Sequence, residues 1–184
     1  MRALTSFEQR AKDYATEAHG DQITKYGNEP YINHSAAVVE ILSIVTNSRT
    51  MLAAGWLHDV VEDTDKTLDD IYQRFGYQVA SLVSEVTNAS MGMKCSRALR
   101  KSIDRGHLSK ASHKGKTLKL ADVIVNTMDI VAKDPKFATI YLSEKWDLLG
   151  ALAGGNTALY LLAEATIIKS GRLIGLDFIP EWAK

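Results

Sequence analysis

MLAAGWLHDVVEDT, residues Met51 to Thr64, is apolar for seven residues and acidic thereafter, and it reads as a strongly apolar helix, its apolar half core, that becomes acidic at its end. Read as one helix from Met51 to Asp63, it sets His58 and Asp59 about 100° apart and brings Glu62 and Asp63 round one turn later on the same side. Four polar groups then point at one region. Charges emerging from a buried helix are costly unless they are paired or bound to a metal. A helix C-terminus also disfavours carboxylates, so something positive is expected beside Glu62, Asp63 and Asp65. An adjacent His-Asp pair on its own equally describes a helix end in water with one satisfied histidine.

The helical reading spreads in both directions. Phe7 to His19 repeats Phe7, Ala11, Tyr14, Ala15 and Ala18 on one face, and residues 20–34, with Gly20, Gly27 and Pro30, read as a loop. His34 to Thr46 carries the next apolar face. Thr67 and Asp70 form a capping pair for a helix over Leu68 to Phe75 closed by Gly76, and a further helix runs from Tyr77 to Asn88. A basic segment of part helix and part loop follows. Thr117 to Ala132 is helical up to Asp134 and Pro135, and Phe137 to Leu152 ends at Gly154 and Gly155. Asn156 caps a last helix that stops at Gly171. No alternating strand pattern or repeat competes, so the expectation is one all-α domain over residues 1–184, a bundle of about eight to ten helices.

Composition sets the outer limits. With 184 residues, 46% hydrophobic and 24% charged, the chain is globular and large enough to fold without disulfides or a structural metal. A single cysteine, Cys95, excludes an internal disulfide and suggests a reducing, cytoplasmic setting. Neither a signal peptide nor a membrane span is expected. The formal net charge of zero is unevenly distributed: residues 91–119 hold nine Lys and Arg against Asp104 alone, a net of +8, which leaves −8 elsewhere. Such a segment suits a polyanionic ligand. It contains no aromatic residue on which bases stack, which counts against single-stranded nucleic acid.

Two further positions extend the central cluster. His34 stands at a loop-to-helix junction, and Asp122 lies inside an apolar helix where a carboxylate needs a partner. Two His and two Asp suit Mn²⁺, Fe²⁺ or Zn²⁺ better than a thiolate-preferring ion. In order and approximate spacing, His34, then His58-Asp59, then Asp122 resemble the pattern of the HD-domain metal-dependent phosphohydrolases. The surrounding words GNEPYINH, AAGWLHDVVEDT, FGYQVASLVSEVTNAS and KLADVIVNT resemble the hydrolase domain of the RelA/SpoT proteins, especially the small alarmone hydrolases, over nearly the whole chain.

The resemblance implies an enzyme that releases pyrophosphate from the 3′ position of ppGpp, usually with Mn²⁺. It also implies His34, His58, Asp59 and Asp122 as metal ligands and Glu62 and Asp63 as the pair that orients or deprotonates the attacking water. Asn126 falls where the family contacts the sugar, and Lys25 in the substrate-binding loop. On charge and rough position, Arg100, Arg105 and Lys119 are candidates for the distal phosphates. Thr24 stands where the family usually has an arginine that packs on guanine, and the run after Asp122 lacks the family's Arg and His. An adenosine alarmone such as ppApp therefore enters the reading. The alternatives are an HD-type 5′-nucleotidase and a non-catalytic alarmone-binding module. His19, His107 and His113 read as surface residues, and Trp56, Trp146 and Trp182 as packing. No membrane partner is expected, and the oligomeric state is open.

Overall fold

The computed structural model describes residues 3–26 and 28–179. Eleven helices account for the regular structure of the described residues: nine of eight residues or more, and two single turns. An isolated antiparallel bridge joins Ile23 and Pro30. The chain divides into two compact units, Met1–Lys94 and Cys95–Lys184.

The first unit contains α1 (Ser6–His19), α2 (Ile32–Ser43), α3 (Arg49–Leu57), α4 (Val60–Asp63), α5 (Leu68–Phe75) and α6 (Tyr77–Val86). Capping fixes several of these starts. Thr5 with Glu8, and Thr67 with Asp70, form reciprocal capping boxes in which each side chain bonds the other residue's backbone N–H. Gly76 closes α5 at φ 83°, a left-handed conformation in which a side chain is strained. Helix α3 is the centre, touching α1, α2 and α6, and Met51 through Leu57 are all buried. Gly55 lets α2 approach closely, because a Cβ there would stand 2.9 Å from both Leu42 Cδ1 and Val39 Cγ2.

The expected continuous helix from Met51 to Asp63 is broken. It stops at Leu57 and restarts as the single turn α4, with His58 and Asp59 between. The reason is local: His58 Nδ1 donates to the Gly55 carbonyl at 2.9 Å, so the side chain crowds the backbone acceptors of the last turn.

The second unit contains α7 (Arg97–Ser109), α8 (His113–Met128), α9 (Ile130–Lys133), α10 (Pro135–Leu152) and α11 (Thr157–Arg172). Leu118, Leu120, Ala121, Val123 and Ile124 of α8 are buried, and α8 packs on α10 and α11. The helix expected from Thr117 to Ala132 starts four residues earlier and breaks at Asp129. Pro135 takes the first position of α10, where its missing N–H costs no hydrogen bond. Asn156 caps α11 as expected, and the helix ends at Arg172, one residue beyond Gly171. A Cβ there would come within 2.7 Å of Phe178, so this glycine admits an aromatic ring. Phe178 stacks on Trp146 at 5.1 Å, and Trp56 is 4% exposed, so both tryptophans pack as expected, whereas Trp182 lies outside the described residues. No described helix is long and apolar enough to cross a membrane.

Candidate metal centre

The break after Leu57 aims side chains. His58, 1% exposed, has its Nδ1 proton committed to the Gly55 carbonyl, so a neutral ring presents the Nε2 lone pair on its other side. That atom lies 3.0 Å from Asp59 Oδ2 and 3.3 Å from His34 Nε2, and His34 Nε2 lies 3.4 Å from the same Asp59 oxygen. An ion held at about 2.1 Å sets neighbouring ligands about 3.0 Å apart at octahedral angles and about 3.4 Å apart at tetrahedral ones. The triangle has those edges. His34, His58 and Asp59 each turn one donor atom to a common point. Two imidazole nitrogens and a carboxylate oxygen also match the chemistry of a borderline divalent ion.

Tyr31 completes this corner. Its hydroxyl donates to Asp59 Oδ2 at 2.6 Å, its ring meets the edge of His34 at 5.6 Å, and its other neighbour is His19, stacked at 4.5 Å. Burial and the charge of Asp59 push the Tyr31 phenol well above its ordinary range, so it remains a donor. The spacing of polar residues did not single out Tyr31, although it sits three positions before His34 in PYINH. His19 is not at the surface as expected but 6% exposed, because α1 packs it against the Tyr31 ring.

The acidic pair divides. Glu62 is held by Asn88, whose backbone N–H donates to Oε1 at 2.8 Å and whose side-chain amide donates to Oε2. Asn88 was not anticipated; it lies at the end of α6, and only the fold brings it to Glu62. Asp63 reaches solvent, and its carboxyl titrates above the ordinary range. Partial desolvation is the largest cause and the negative charge of Asp59 the next, while the Tyr31 hydroxyl, His19 and His58 pull the other way. Thr24 donates its backbone N–H to the Glu29 carbonyl at 2.8 Å, which helps close the loop before α2, and the Lys25 ammonium bonds the Tyr26 hydroxyl.

The remaining candidates belong to the second unit. Asp122 on α8 is 3% exposed and lies 2.9 Å from the Lys119 ammonium, with Asn126 donating from the other side. Spacings of three and four residues put all three on one helix face. Arg100 donates to the Cys95 carbonyl at 2.7 Å, and Arg105 lies 3.7 Å from Asp147. Arg97 makes a two-pronged bond to Glu144 at 2.6 and 2.8 Å, joining α7 to α10. Part of the basic segment is thus engaged within its own unit.

The HD domain family matches residues 11–151. The chain belongs to the HD domain family. Among its relatives there, the Xenopus tropicalis guanosine-3′,5′-bis(diphosphate) 3′-pyrophosphohydrolase MESH1 is 37% identical over 130 residues, covering 68% of this chain and 70% of that protein. The Homo sapiens protein of the same name is 38% identical over 123 residues, 65% of this chain and 67% of that one. A solved structure described as a metazoan ortholog of SpoT that hydrolyzes ppGpp matches with a TM-score of 0.82 at 29% identity, over 96% of this chain and 99% of its own. A Listeria monocytogenes structure at 22% identity and TM-score 0.64 shares the HD domain fold over 76% of this chain and 99% of its own. The all-α HD domain fold expected from the sequence is the fold found.

Proposed function

We propose that this chain is a metal-dependent hydrolase of guanosine-3′,5′-bis(diphosphate), releasing the 3′-diphosphate as pyrophosphate. The observation that carries the reading is the triangle of His34 Nε2, His58 Nε2 and Asp59 Oδ2, with coordination-length edges, in a chain whose relatives are named for that reaction. Mn²⁺ is the proposed ion, with Fe²⁺ or Zn²⁺ also suited to the donors, and Asp122 is the proposed fourth ligand by its place in the family pattern. When bound, such an ion lowers the pKa of a coordinated water and polarises a phosphoryl oxygen.

The chain's own groups supply the rest. Asp63 accepts the proton of the attacking water, the role its place in the family pattern gives it, from a side chain that reaches solvent. Glu62, fixed by Asn88, orients that water. A bond forms from the water oxygen to the phosphorus attached at the 3′ oxygen, the bond from phosphorus to that oxygen breaks, and the 3′ oxygen leaves with a proton. Asn126 contacts the sugar, Thr24 and Lys25 the nucleotide, and Arg100, Arg105 and Lys119 the phosphates. With Thr24 in the loop no guanidinium from that position stacks on the base, so ppApp is proposed as a second substrate. The two units act as one HD domain of the cytoplasm. In support, the family match runs unbroken through their boundary at residues 94 and 95.

The test incubates Mn²⁺-loaded protein with ppGpp, ppApp and nucleoside 5′-monophosphates, with Asp59→Ala as control. Pyrophosphate from ppGpp, absent in the variant, is expected. Orthophosphate from the monophosphates alone would replace the reading with a 5′-nucleotidase, and binding of ppGpp without turnover would replace it with a non-catalytic module.

A further inference from the structure

His19 enters the chemistry above only through its influence on Asp63, yet it is one of the few polar side chains buried to this degree among the described residues of the first unit. Its Nδ1 is 2.7 Å from Gln22 Oε1, and its Nε2 is buried without a hydrogen-bond partner. What the ring does touch is Tyr31, face to face at 4.5 Å and 26°. Gln22 anchors both partners: its side chain holds the His19 ring, and its backbone carbonyl accepts from the Tyr31 N–H at 2.9 Å.

The chain of contacts continues into the metal triad. Tyr31 is bounded by His19 on its face and by His34 at 5.6 Å, and its hydroxyl donates to Asp59 Oδ2, the oxygen that faces both histidines, with the Asp63 carboxyl also beside it. One tyrosine rotamer therefore bears on two of the three proposed ligands. We propose that His19 is a positioning residue for the metal centre, acting through the stacked Tyr31 to hold Asp59 Oδ2 in place. This rests on the metal reading of the triad but not on the identity of the nucleotide.

The test is a Mn²⁺ titration by calorimetry of the full chain without nucleotide, on the wild type, His19→Ala, Tyr31→Phe and the double variant, each checked for its unfolding midpoint. Outer partners of metal ligands contribute about 10- to 100-fold in affinity. Tyr31→Phe is expected to weaken Mn²⁺ binding about tenfold or more, His19→Ala by about tenfold, and the double variant no further than Tyr31→Phe alone, because both act along one path. His19→Phe, which keeps a ring against Tyr31 and guards against misfolding of the alanine variant, should bind within about threefold of wild type, judged against that same range. Losses that multiply in the double variant would overturn the path through Tyr31. A His19→Ala protein, or a His19→Leu protein where the first does not fold, whose unfolding midpoint falls while its Mn²⁺ affinity is unchanged would reduce His19 to packing. A wild type that binds no Mn²⁺ overturns the inference with the metal reading. A wild type that binds Mn²⁺ but leaves ppGpp intact overturns the nucleotide assignment alone.

Discussion

At the scale of single residues, environment separates two carboxylates that are neighbours in sequence. Glu62 accepts two hydrogen bonds from Asn88, whereas Asp63 is left with a raised proton affinity from partial desolvation and Asp59. A base must be ionised to act, so activity should fall as pH drops into the carboxylate range. An acid limb of the kcat profile set by a carboxylate is expected, and Asp63→Asn should remove it and lower kcat by about 10²- to 10⁴-fold. Steady-state rates across the acid range check both. Lys145 offers a second titration, in the other unit. Burial first, then Lys119, bring its ammonium down to about 8 from 10.5. Between those values the unfolded chain binds more protons than the folded one, so this group's contribution to stability improves as pH rises. Lys145→Met should stabilise the protein at pH 7, by on the order of 2 kcal/mol, and the advantage should shrink from about pH 8 upward. Chemical denaturation of both proteins at pH 7 and pH 10 reads the difference.

At the scale of elements, the close approach of α2 and α3 sets the position from which His58 is aimed. Gly55→Ala gains about 1 kcal/mol of helix propensity. It also drives a methyl to 2.9 Å from Leu42 and Val39 in a packed core, which costs about 1 to 3 kcal/mol. Because the His58 ring bonds the Gly55 carbonyl, the variant should lower both the unfolding midpoint and Mn²⁺ affinity; an unchanged affinity would separate the interface from the metal centre. The elements also show what was legible beforehand. Thr67 with Asp70, and Asn156, announce their helices by local chemistry alone, and the starts of α5 and α11 fall where those caps predict. The break at His58 was not legible, because it depends on which carbonyl an imidazole selects once the ring is buried. Gly171 does fall at the end of α11, but its second role, making room for Phe178 seven residues on, was not legible. That His34, His58 and Asp59 belong to one cluster was readable from residue types in order. Tyr31, His19 and Asn88 were not, because stacking and long-range hydrogen bonds leave no periodic trace in the sequence.

At the scale of the molecule, each half carries part of the proposed chemistry: His34, His58, Asp59, Glu62 and Asp63 in the first unit, Lys119, Asp122 and Asn126 in the second. If the two act as one domain, the ion links their stabilities. A ligand that binds only the folded protein stabilises it by about 2.7 kcal/mol at a concentration one hundred times its Kd. Mn²⁺ at that excess should therefore raise a single unfolding transition, and a chelator should lower it again together with activity. Asp122→Asn then distinguishes a shared ion from one held by the first unit alone. In the shared case the substitution weakens Mn²⁺ binding and removes most of the metal-induced shift; in the other, affinity is untouched and the transition splits, with only the first unit responding to the ion. Calorimetric scans of wild type and Asp122→Asn, with and without Mn²⁺, make the comparison. The expected result is one transition whose response to the ion requires the carboxylate of Asp122.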